Sequence, residues 1–382
     1  MKHWIRVGLG AAGAMFVAMG LGRFSFTAMV PALIETGHLT ANEAGWIGGA
    51  NLTGFLIGAY LSEKIRERWF MLQILRVCII ISIIALLASA VSLGALWLGL
   101  CRGVLGVTAG LIMVQGLSLV TAKVSEHQRP VAVAMMFSGV GLGIFLSGHI
   151  IPDLLNFNIT WAWLGIGVIA IIGSAVAFWG CYCIEPSKTQ IVQAIGLRKL
   201  FRQDSVWIGL GASYFLFSFG LTPHTLYWVD FLVRSVSISI EAGGRHWGFV
   251  GIFAFIGPWA AVWLAYRTNT HYALVITFVI LGIGIAIPGF ATSPMVLWVS
   301  TIIFGAQPGL TTVAGARVRD LATAETMPSV IRAMIIMSAI GAAAGGIIFP
   351  ALFAISEQYS ILFFLAGGAM LVAAICSLLA RR

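Results

Sequence analysis

Runs of about twenty apolar residues recur along this chain, each long enough to cross the hydrocarbon of a bilayer as a helix. Twelve such runs lie near 7–34, 44–62, 71–90, 95–121, 131–151, 161–182, 206–229, 247–266, 272–291, 295–316, 329–355 and 360–380. The composition leaves water out as the solvent. Of 382 residues, 60% are hydrophobic and 9% charged, with a mean hydropathy of +1.00, whereas a soluble domain carries a charged skin of about 25%. The 45 glycines suit helices that approach one another closely in lipid. The first run follows Lys2 and Arg6 and is too long for a cleaved signal peptide. The expected fold is therefore an all-α membrane protein with twelve transmembrane helices.

Charge placement orients those helices. With the N-terminus on the cytoplasmic side, 18 of the 22 basic residues fall on that side, and only Arg234 and Arg245 fall opposite. The positive-inside rule then predicts a multi-pass inner-membrane protein with both termini cytoplasmic. The net charge of +9 is spread through short loops, not gathered on one face, which argues against nucleic acid as a partner. Arg23 and Arg102 are the two basic residues left inside spans.

The chain also repeats itself. Gly143-x-x-x-Ser147-Gly148-x-x-x-Pro152-x-Leu154 matches Gly341-x-x-x-Gly345-Gly346-x-x-x-Pro350-x-Leu352 at an offset of 198. Trp46 and Trp247 are 201 apart, as are Leu96-Trp97 and Leu297-Trp298. Three correspondences at nearly one offset predict two pseudo-symmetric six-helix bundles, 1–182 and 206–382, joined by a cytoplasmic linker at 183–205. Gly106, Gly110, Gly143, Gly148, Gly341 and Gly346 are expected to serve close helix packing.

With these features the chain resembles the major facilitator superfamily over nearly its whole length. The stretch Gly58-Ala59-Tyr60-Leu61-Ser62-Glu63-Lys64-Ile65-Arg66-Glu67-Arg68 is similar to the family's motif after the second helix, which would make Gly58, Ser62, Arg66 and Arg68 a gating loop. Ser62 stands where the motif has Asp and Ile65 where it has its second Gly, so the usual gating ion pair lacks its acid. Arg102 and Gly106 match the fourth-helix motif. Gly139-x-x-x-Gly143-x-x-x-Ser147-Gly148 approaches the fifth-helix motif, with Ile144 in place of Pro. Gly20-Leu21-Gly22-Arg23-Phe24 before Pro31 resembles a bacterial branch of the family. The resemblance implies the major facilitator fold and transport by alternating access.

Polar groups inside the spans mark the candidate solute site. An ionised side chain at the bilayer centre costs about 2.5–3.5 kcal/mol on insertion scales. By helical rise, Arg23 lies ~16 Å and Arg102 ~10 Å from the outer ends of their spans. Glu35, Asp153, Asp230 and Glu357 sit at outer ends of spans, so no carboxylate is expected at the depth of the two arginines. Two guanidiniums without an acid leave a positive potential, and the planar fork of Arg grips a carboxylate through two hydrogen bonds. The alternatives are a structural Arg102 bonded to backbone carbonyls or to Asp153, and Arg23 paired with Asp230. His224 stands 201 residues after Arg23 and shares a stripe with Tyr227. The expected solute contacts are Arg23, Arg102, His224, Thr27, Tyr227, Gln307 and Asn51. His224, Asp230 and His149 are the candidates to carry a coupling proton. Gln307-Pro308-Gly309 predicts a kink in the tenth span.

These residues point to a secondary transporter of a small, carboxylate-type organic anion. The alternative is an exporter of hydrophobic or cationic drug-like compounds, disfavoured by the lack of a membrane carboxylate. No P-loop, nucleophile–base pair or His-x-x-x-His pattern appears, so neither an ATP-driven pump nor an enzyme is expected. The five cysteines show no ligand spacing, and Cys181-x-Cys183 is read as packing, so no metal or cofactor is expected. The expected partners are the solute and the lipid bilayer, with the chain acting as a monomer.

Overall fold

The computed structural model describes residues 2–182, 197–323 and 325–381. Twelve long helices follow one another: α1 His3–Glu35, α2 Ala41–Arg66, α3 Met71–Ala88, α4 Ala95–Lys123, α5 Arg129–Leu155, α6 Ile159–Tyr182, α7 Ser205–Ser235, α8 Ile240–Arg267, α9 Thr270–Gly289, α10 Pro294–Leu321, α11 Met327–Ser356 and α12 Tyr359–Leu379. A short helix, Leu197–Gln203, precedes α7. Eleven of the twelve are both long and apolar enough to cross a membrane. The remaining one, α2, has 26 residues, about 39 Å of rise, and is less apolar because its buried face is built from Gly45, Gly48, Gly49, Asn51, Gly54 and Gly58. The twelve expected spans are thus all helices. The Cys181–Cys183 pair falls outside the side chains described.

Two helices run further than their apolar stretches. The seventh was expected to end at 229, but continues through a wide turn, Phe231–Ser235. This draws Asp230 and Arg234 into the helix, where they pair at 3.4 Å. Asp230 is buried. An i,i+4 pair satisfies each charge with the other and lets the helix carry both. The other correction concerns the presumed gating loop. Gly58, Ser62 and Arg66 all lie within α2, and only Arg68 lies in the turn that follows.

The chain forms two compact units, Met1–Thr189 with Leu226–Ile252, and Gln190–Thr225 with Phe253–Arg382. By the sequence repeat, Leu226–Ile252 belongs to the second half; by packing it belongs to the first unit. Within that unit α2 and α4 make the most extensive helix pairing. Their backbones touch: a Cβ on Gly58 would run into the Val107 carbonyl, one on Gly106 into the Asn51 carbonyl, and one on Gly110 into the Phe55 carbonyl. Gly20 and Gly143 bring α1 and α5 equally close, and Gly148 of α5 abuts Gly244 and Gly248 of α8. In the second unit Gly341 of α11 rests on the Phe215 carbonyl of α7, Gly345 rests on Thr222, and Gly346 is buried. In each half, glycines of the fifth helix therefore take the backbone of the first.

Ser62 shows what the altered motif does. It is buried, and the Gln115 side-chain amide of α4 donates to its hydroxyl at 2.6 Å and to its carbonyl at 3.1 Å. A neutral bond along the α2–α4 seam stands where the family motif has an acid. Gly103 and Gly106, both on α4, provide a paired test of the seam. Gly106→Ala is expected to destabilise the protein by about 2–3 kcal/mol, because the clash is with backbone. Gly103→Ala meets nothing within 4 Å and is expected to leave the melting temperature in detergent unchanged.

Candidate functional site

The site is built on an interruption in α1. An α-helix from His3 to Met15 widens into π-type turns over Phe16–Leu21, turns at 22–24, and resumes at Ser25. Met19 O accepts from both Arg23 N and Phe24 N, at 3.1 and 3.2 Å. Gly22 permits this geometry, since a Cβ there would strike the Ala18 carbonyl one turn back.

Four consecutive carbonyls at the interruption receive side-chain donors. The Ser25 hydroxyl donates to Leu21 O at 2.6 Å. Arg102 donates through Nη1 to Gly22 O, and through Nη2 to Arg23 O at 2.6 Å. The Trp247 indole donates to Phe24 O at 3.0 Å. A cation here also faces the negative pole of the helical segment that ends at the interruption.

This arrangement separates the two arginines. Arg102 is 1% exposed and both its terminal nitrogens are committed to backbone oxygens. Its bonds are those of the alternative reading, to backbone carbonyls and not to Asp153. Arg23 is half-buried. No carboxylate pairs with it among the described residues, and its Nε is shielded without an acceptor. Its guanidinium lies over the rings of Phe24 and Phe55, 5.2 and 5.5 Å from their centroids. Asn51 joins the group from α2. Its amide donates to the Arg102 carbonyl at 2.9 Å, and its Oδ1 is buried without a donor. Thr27 and Tyr227 are buried in the same unit.

Residues 15–378 match the profile of the family described as "Uncharacterised MFS-type transporter YbfB". The chain belongs to this major facilitator family. No curated protein matches it by sequence. Among solved structures it is similar to that of the nucleoside transporter NupG, in a mutant form, with a TM-score of 0.76 at 12% identity and 100% of each chain covered. A likeness at that identity shows the fold. The fold and family together make this a multi-pass membrane transporter.

In this MFS-type transporter the second unit holds His224 and Gln307, while His149 lies in the first. His224 follows a break in α7 between Gly220 and Thr222. It is fully buried, with Nε2 2.9 Å from the Ser300 hydroxyl and its ring 4.8 and 5.0 Å from Phe304 and Phe363. The repeat therefore extends to architecture: in each half, the break in the first helix rests on the fourth helix, through Arg102 of α4 or Ser300 of α10. Gln307 is half-buried in the break between Gly305 and Pro308 of α10, where the sequence predicted a kink. His149, on α5, bonds the Phe145 carbonyl at 2.9 Å and lies over Gly248. Ser300 and Trp247 were not among the sequence candidates; Trp247 was visible only as the repeat partner of Trp46.

Arg102→Gln is expected to lower stability by about 3 kcal/mol, the loss of two buried charge-assisted bonds net of what the amide recovers. Arg102→Lys keeps the charge but not the fork, and is expected to recover less than half of that loss in detergent melting curves.

Proposed function

We propose that this transporter moves a small organic anion of the carboxylate type, with Arg23 as the group that receives it. One observation carries the reading: Arg23 holds a charge inside a membrane-crossing helix, partly accessible, with no carboxylate beside it among the described residues. Arg does not lose its proton in proteins, so the site stays positive and favours a guest that brings the opposite charge. The arginine fork offers two parallel donors to such a guest. The nearby Asn51 Oδ1 adds an acceptor for a hydroxyl or amine on the same solute.

Coupling fits exchange of anions, or a proton carried with the acid, better than a proton on His224. That ring is enclosed by Ser300, Phe304 and Phe363, whereas a proton carrier must meet water. The two sequence halves would expose Arg23 to each side in turn. The excess of basic residues on one side supports an inner-membrane location with both termini cytoplasmic.

Uptake into proteoliposomes tests the proposal with three probe classes: mono- and dicarboxylates, the nucleoside uridine suggested by the NupG likeness, and a lipophilic cation. Carboxylates are expected to be transported, and Arg23→Gln to reduce their uptake by about 100-fold while the protein still inserts and melts normally. Transport of uridine or the cation alone, or carboxylate uptake unaltered in the Arg23 variant, overturns the reading.

A further inference from the structure

Trp247 holds a place that its packing alone does not account for. Its repeat partner, Trp46, is 41% exposed, as a tryptophan near a helix end commonly is. Trp247 is 0% exposed. It lies in the segment of α8 that packs with the first unit, and glycines hold that segment tightly. Gly244 and Gly248 abut Gly148 of α5, and a Cβ on Gly251 would meet the Gly141 carbonyl. With the α8 backbone seated this closely, the indole reaches the interruption in α1.

There it makes two contacts with one residue. Its N–H donates to the Phe24 carbonyl at 3.0 Å, and its ring lies 6.0 Å from the Phe24 ring at a tilt of 55°. The Phe24 ring in turn carries the Arg23 guanidinium. Indole N–H is a donor only and needs an acceptor when buried; the Phe24 carbonyl supplies it.

We infer that Trp247 is a positioning residue for Arg23, acting through Phe24. Arg102 pins the peptide planes that end in the Gly22 and Arg23 carbonyls, and Trp247 pins the next one. With three consecutive planes held, the backbone torsions around Arg23 are set, and only its side-chain rotamers remain free. The Phe24 ring, fixed by the indole, then selects among those rotamers. The inference rests on the reading of Arg23 as the anion-receiving group, but its test is arranged to fail separately.

The readout is the rate at which phenylglyoxal modifies Arg23 in the purified protein, followed by mass spectrometry of the peptide that contains it. Trp247→Phe keeps an aromatic ring, a smaller one, and removes the N–H. It is expected to raise the Arg23 modification rate about fivefold, as for the loss of one ordinary hydrogen bond. Phe24→Leu keeps the carbonyl and removes the ring, and is expected to raise it likewise. Modification of Arg102 should stay negligible in both. In transport assays with benzoate as probe, Trp247→Phe should raise KM with Vmax little changed, whereas a purely structural defect would lower the amount of active protein and hence Vmax. An Arg23 modification rate that neither variant changes overturns the inference. If Arg23→Gln leaves carboxylate uptake intact while Trp247→Phe exposes Arg23 to the reagent, the anion reading falls and the positioning role stands.

Discussion

The guanidinium of Arg102 and the interrupted backbone of α1 are each unfavourable alone in an apolar interior, and each is what the other requires. A buried guanidinium needs acceptors, and a helix that widens and turns leaves carbonyls in need of donors. Arg102 answers Gly22 and Arg23 with its two terminal nitrogens. The pairing involves no carboxylate, so the charge is met by backbone dipoles and is not cancelled. That uncancelled charge is the physical ground on which an anion is proposed at Arg23.

The closeness of α2 and α4 supports that interaction. Asn51 reaches the Arg102 carbonyl because Gly106 lets the two backbones touch, and Phe55 of the same α2 face lies under Arg23. Lipid offers no hydrophobic drive for helix association, so this contact depends on fit between small residues and on hydrogen bonds such as Gln115 to Ser62. The second unit has a corresponding break in its first helix. His224 takes the place of Arg23, and Ser300 with two phenylalanines takes the role of the supporting fourth helix. The halves share a break in the first helix, with Arg23 at the break in one and His224 beside the break in the other.

Much of this could be read from the chain. The twelve spans, the repeat and the kink at Gln307–Pro308 follow from apolar run length, glycine spacing and proline, all of which act locally. The seventh span was drawn short because an apolar window ends at the first charge, whereas a helix continues where two charges four residues apart pair. The altered motif was legible as a missing acid, but not as the Ser62–Gln115 bond, because nothing local pairs residues 53 positions apart. Trp247 was legible only as the repeat partner of Trp46, because nothing local pairs it with the Phe24 carbonyl 223 positions away.

The sequence by itself determined the solvent, the number of crossings and the twofold repeat, since these depend on how many apolar residues lie in a row. Only the tertiary structure decided which intramembrane arginine is committed and which is available. Both have the same chemistry and similar expected depth. The difference lies in the carbonyls that α1 presents 80 and 79 residues before Arg102, and whether a buried donor is satisfied depends on partners that folding brings to it.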